Sequence, residues 1–267
     1  MKFHLIYFVT SFLLINPNLF SQDFEVSPVV MQFKTNSGET ETRTLTLKNY
    51  YAEKQKFTLN LVDYTLDSEG VKHAEALGNT NRTLADRLVV SPSVVELNPN
   101  ESASVEVIMT IPKTDSKTRW GMIQVQVAKE RTAADADKEM VTGVIVIPRI
   151  VVIVTQSPAD NKNYAAKVIS ITEVEKSDEG YRTFEINVSN SGDKLISGQL
   201  YLAVANLETA EEKRYKSKEV TIYPEASKVV TLSIPENLAI GKYALAALYD
   251  YGHQKSIEGT QILLEQE

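Results

Sequence analysis

The sequence predicts an all-β protein of two consecutive β-sandwich domains, and three observations carry that prediction. Apolar and polar residues alternate in short stretches from Phe24 onward, as half-buried strands require. Turn signals separate these stretches at about every 8–12 residues, the spacing of immunoglobulin-like sandwiches. Above all, one strand phrase occurs twice: VELNPNESASVEV over 95–107 and VTIYPEASKVVTL over 220–232. Each copy is followed by an Ile-Pro pair (Ile111 and Pro112; Ile234 and Pro235) and then by a Gly-led strand at Gly121 or Gly241. A repeat more than a hundred residues long exceeds any solenoid unit and divides the chain into two related sandwiches.

Residues 1–21 read as a cleaved secretory signal. Lys2 gives the positive start, an apolar run extends from Leu5 to Ile15, Pro17 breaks it, and Ser21 is a small residue before the cut. The run is shorter than the ~20 residues of a membrane span, so no transmembrane segment is expected in the mature chain. The first domain is expected over 22–155. Phe24 and Val26 open its first strand, and Pro28, lacking an N–H, marks an edge or a switch of strand. Stretches at 43–49 and 57–64 alternate as antiparallel strands, and Gly70 offers positive φ to the turn at 67–70. A single helical turn is expected over 80–87. After the first repeat phrase come a strand over 120–127 and a polar hairpin tip over 133–139. The run VTGVIVIPRIVVIVT over 141–155 is the most β-branched in the chain, and apolar residues on both its faces imply that both are covered. A polar linker is expected over 156–165. The second domain, 166–267, repeats the plan, with strands at 181–190 and 198–204 mirroring 43–49 and 57–64.

Composition removes several function classes. The chain of 267 residues has no cysteine, which excludes disulfides, thiolate metal sites and thiol catalysis. Its formal charge is −7, falling to −8 without Lys2, and no dense Lys/Arg cluster occurs, so nucleic acid is a poor partner. Of three histidines, His4 leaves with the signal, while His73 and His253 fall in different domains near turns. No metal spacing, Gly-x-Ser-x-Gly elbow or Gly-rich phosphate loop is present. Asp63, Asp67 and Glu69 match no calcium loop and read as hairpin-turn carboxylates, and Asp135 and Asp137 as solvated tip charges. No catalytic group, cofactor or metal is expected. Trp120, the single tryptophan, and its neighbour Arg119 are candidate surface contacts, against a core or interdomain placement for the tryptophan. Arg149 interrupts the β-branched run. Buried without a partner it would cost several kcal/mol, so it must meet water, a carboxylate or a bound anion.

The pattern Phe24-x-Val26-x-Pro28, the strand end at Leu47 to Asn49, the segment from Pro92 to Pro99, the Ile111-Pro112 edge and the long strand over 141–155 resemble pilus-type periplasmic chaperones (PapD-like). The two-domain layout is also similar to the extracellular part of WxL-interacting proteins, which pair a peptidoglycan-binding Ig-like domain with a second binding domain. The first resemblance implies a partner subunit's C-terminal carboxylate held by two basic residues. Arg149 is the candidate on the long strand, whereas 27–33 carries no basic residue. The reading is therefore a non-catalytic, periplasmic or envelope-located chaperone or scaffold that engages an exported protein subunit through an exposed β-edge. Val144, Val146, Arg149, Ile150 and Val152 are its expected partner-binding residues. The alternative is an envelope adaptor that binds peptidoglycan and a surface protein.

Overall fold

The structure, a computed structural model, describes residues 23–128, 147–174, 180–235, 237–252 and 257–266. The expected signal segment and the hairpin tip at 133–139 lie outside these residues, as do Val144, Val146 and His253.

The first domain is built from β1 (Phe24–Ser27), β2 (Val30–Phe33), β3 (Thr40–Asn49), β4 (Gln55–Leu66), β5 (Lys72–Glu75), β6 (Leu88–Ser91), β7 (Val94–Leu97), β8 (Ser102–Thr110), β9 (Arg119–Val127) and β10 (Arg149–Gln156). One sheet runs β1-β3-β8-β6; the facing sheet runs β2-β10-β9-β4-β5, with β7 also on β4. Pro28 marks the strand switch that its missing N–H predicts: β1 pairs β3 in one sheet, and β2 crosses to the other, parallel to β10. Inward residues of both sheets, among them Phe24, Phe33, Leu45, Leu47, Phe57 and Val107, make a continuous core. The segment over 80–87 forms turns, with one Leu88 N–H to Leu84 carbonyl bond in place of a helix.

The second domain contains β11 (Ala166–Val174), β12 (Tyr181–Asn190), β13 (Ile196–Asn206), β14 (Glu212–Arg214), β15 (Lys218–Ile222), β16 (Ala226–Pro235), β17 (Gly241–Asp250) and β18 (Glu258–Gln266). Its sheets run β11-β12-β16 and β14-β13-β17-β18, with β15 on β13, around a separate core that includes Phe184, Ile186, Leu200, Leu245 and Tyr249.

The sequence repeat is a repeat of backbone and of hydrogen bonds. In the first copy, the buried Asn49 at the end of β3 donates to the carbonyls of Leu97, Asn98 and Glu53 and accepts from Tyr51 N–H. In the second, the buried Asn190 at the end of β12 donates to the carbonyls of Ile222 and Lys194 and accepts from Gly192 N–H. After each lock the turn passes through positive φ at equivalent positions, 62° at Asn100 and 59° at Glu225. The two sandwiches thus hold the turn alike: a buried amide ties carbonyls on both sides of it together.

Candidate partner-binding site

The candidate site begins at an asymmetry along β10. Its eight residues all pair with β9, from Arg149 opposite Gln126 to Gln156 opposite Arg119. On the other side β2 pairs only 153–156, beginning with the Ile153 N–H to Val29 carbonyl bond at 2.9 Å. Among the described residues no strand lies beside 149–152 on that side. Since N–H and C=O of one strand residue point the same way and alternate along the chain, Val151 and Arg149 turn theirs to the open border. Val29 and Val30, where β2 begins, are each 51% exposed, and Ile147 just before β10 is 44% exposed.

Side-chain placement corrects part of the sequence reading. Val152 is fully buried in the first core, so its side chain cannot meet a partner there. Ile150 is half-buried against the same core. The parity that aims residues inward is that of Ile150, Val152 and Val154; Val151 and Ile153 take the outer face. Arg149 is exposed, and its Nε donates to Gln126 Oε1 at 3.0 Å. Both faces of the run are covered at 151–154, by the core inside and by the second domain outside.

Arg119 and Trp120 are not surface contacts. Trp120 is 7% exposed, donates its indole N–H to the Tyr64 carbonyl at 3.1 Å and meets the Tyr223 ring edge-on at 5.0 Å. Arg119 Nε is bonded to Asp115 at 2.9 Å, with only 12% of its side chain exposed. The tryptophan belongs to the joint between the domains, where the Tyr64 and Tyr223 hydroxyls also bond at 2.9 Å.

The joint centres on Arg82, a residue that sequence reasoning missed. Its guanidinium, 7% exposed, bonds Asp193 and reaches Glu225 at 2.9 Å, both from the second domain. It also donates to the Thr118 carbonyl and lies 5.7 Å from the Trp120 ring centre. Asp193 further accepts from Thr118 N–H at 3.0 Å and from Asn161 Nδ2 at 2.8 Å. Asp63 holds the loop that carries Arg82: fully buried, it accepts from the N–H groups of Gly78 and Thr80 and from the hydroxyls of Thr80 and Thr83. Asp67 likewise accepts from Glu69 and Val71 N–H, with His73 Nε2 at 2.9 Å from its other oxygen. These carboxylates organise turns. Besides Trp120, a signal for the joint was a difference between the repeat copies, Tyr223 standing where the first copy has Asn98.

Between the domains the cleft holds two adjoining cavities that share Gln32, Thr155 and Leu195. The first, about 280 Å³, is lined by Lys34 and Lys194 with Ser157, Tyr164 and Tyr251. Lys194 donates to the carbonyls of Ser157 and Pro158. Burial, and then the charges of Lys162 and Lys34, hold its ammonium below the usual lysine range. The second, about 250 Å³, is lined by the apolar Val30, Leu66, Ile153 and Ile222 together with Tyr223 and the charged Asp67, Lys72 and Lys228.

Two immunoglobulin-like sandwiches, a first strand split between sheets and a parallel β2/β10 pair make up the fold that frames this site. Among solved structures, the chain is similar to one in the chaperone–tip adhesin complex of CFA/I fimbriae biogenesis (14% identity, 91% of this chain and 98% of that chain, TM-score 0.50). It is also similar to the class 5 fimbriae chaperone CfaA (15% identity, 90% and 98% covered, TM-score 0.48) and to the E. coli chaperone DraB (13% identity, 91% and 97% covered, TM-score 0.41). At such identities the likeness is one of fold. No protein-family model and no curated protein matches the chain.

Proposed function

We propose that this chain is a non-catalytic, exported chaperone-type binding protein that holds a protein subunit on the open half of β10, in the periplasm or cell envelope. The observation that carries the reading is that, among the described residues, β10 is paired on both sides only over 153–156, and its border at 149–152 opens beside a cleft lined by lysines. A partner strand added there gains main-chain hydrogen bonds from Val151 and Arg149, and Arg149 is exposed beside it. Beyond that strand's end at Val30, past the length of β2, the cleft presents Lys34 and Lys194, whose charge favours a carboxylate over an amino terminus. The strand therefore runs parallel to β10, like β2, with its carboxyl end toward the cleft. A similar structure containing a chaperone and a tip adhesin makes an exported subunit the natural partner, and the likenesses lend no support to the peptidoglycan alternative.

The test uses Val151, whose N–H faces the open border and whose replacement by proline leaves the β9 ladder bonds in place. A photo-crosslinking residue at 149 is expected to capture one exported polypeptide in the native envelope, and Val151→Pro to abolish the adduct without loss of the β-rich far-UV spectrum. Equal labelling from position 44, on the opposite sheet, or an adduct that survives Val151→Pro, refutes the reading.

A further inference from the structure

The second cavity of the cleft has no part in the main-chain pairing of a strand. It lies where the outer face of the first domain meets the second. The end of β4 and the start of β5 supply Leu66 and Lys72, the β2/β10 border supplies Val30 and Ile153, and the second domain supplies Tyr223 and Ser227. The turn between β4 and β5 reaches across to the second domain, where the Ser68 carbonyl accepts from Val229 N–H at 3.4 Å. The cavity is thus walled by separate elements, among them the half-exposed Val30.

We infer that this cavity is a specificity pocket for one large apolar side chain, leucine-sized or aromatic, at the carboxyl end of the partner strand. The inference rests on the β10-edge reading and deepens it. Three observations fix the occupant. A strand beside 149–152 reaches Val30 at its far end, and its side chains on the outer face share the side of Val151 and Ile153, which is the side of the cavity. Val30, Leu66, Ile153, Leu195 and Ile222 give the cavity an apolar wall, beside the polar Gln32, Asp67, Lys72 and Lys228, and against that wall a large apolar side chain removes more surface from water than a small polar one. The adjoining cavity presents Lys34 and Lys194, so the end of the strand that faces the cleft is its carboxyl end.

Two fluorescent octapeptides of alternating valine and threonine, both with a free carboxyl terminus, test the pocket on the full-length mature protein. One ends in phenylalanine and the other in serine. Burial of the ring is expected to make the phenylalanine peptide bind roughly tenfold or more tightly. Ser227→Trp, a substitution at an exposed wall position, is expected to bring the two affinities within about twofold while leaving the serine peptide unchanged. Leu66→Ser, which replaces apolar wall by hydroxyl, should also reduce the ratio. Equal affinities in the wild type, or a ratio untouched by Ser227→Trp, overturn the pocket while leaving the strand-edge reading intact. Failure of both peptides to bind overturns the edge reading and the pocket with it.

Discussion

Arg82→Met tests whether the interdomain joint is held by charge. The methionine keeps most of the apolar stem over Trp120 but removes the guanidinium, and with it the bonds to Asp193, Glu225 and the Thr118 carbonyl. The two ion pairs are unequal. Glu225 is 65% exposed, so its pair counts at the surface scale of about 0–1 kcal/mol. Arg82 and Asp193 are 7% and 20% exposed, and breaking a pair this buried from one side costs about 3–5 kcal/mol. Asp193 keeps two donors, Thr118 N–H and Asn161 Nδ2, which places the expected loss near the lower end, about 3 kcal/mol. The double variant Arg82→Met with Asp193→Asn removes both charges and should recover part of that loss. Urea denaturation of the four proteins in the cycle measures the coupling. A coupling below about 0.5 kcal/mol would show that the aromatic contacts of Tyr64, Trp120 and Tyr223 hold the joint, and the electrostatic argument would fall.

The carboxamide locks give a paired prediction: Asn49→Asp and Asn190→Asp replace a donor by an acceptor facing carbonyl oxygens, and each should lower stability by about 2–4 kcal/mol, read as a fall in Tm. Asp63→Ala strands two N–H groups and two hydroxyls in its loop, and limited proteolysis should show new cleavage within 76–88. Asp115 provides a pH test. Burial raises its pKa, but hydrogen bonds from Arg119, Lys117 N–H and Arg87 outweigh that and hold it below the ordinary carboxylate range. Its stabilisation is complete above the unfolded value of about 3.8 and is lost as pH falls through the lower folded value. Acid titration of Asp115→Asn should accordingly show a smaller loss of stability below pH ~4 than the wild type, and an identical slope would refute the assignment.

Much of the fold was legible because strands report themselves locally. The alternation in 43–49, 57–64 and 181–190 marks β3, β4 and β12, and Pro28 marks the crossing from β1 to β2, since each signal depends only on neighbours along the chain. The repeat phrases yielded both halves of the molecule. What stayed hidden was decided by residues distant in sequence. Nothing around Arg82 announces that Asp193 and Glu225 will surround it. The β-branched run at 141–155 was visible as a strand, but the side on which β2 would lie, and for how many residues, was not. That is why Val152 read as a contact and lies in the core, while Val151 carries the open backbone groups. Trp120 read ambiguously for the same reason: a tryptophan at a strand start looks alike whether its neighbour is water or a second domain.

The matched amide locks of the two sandwiches carry an implication for how the pair is coupled. Asn98, one step beyond the first lock, bonds Glu101 within its own turn, whereas Tyr223, one step beyond the second, reaches Tyr64 across the boundary. The position just outside each lock can thus serve either its own turn or the boundary without disturbing the bonds that hold the turn, and the joint has a direction because only the second copy's residue at that position crosses to the other sandwich.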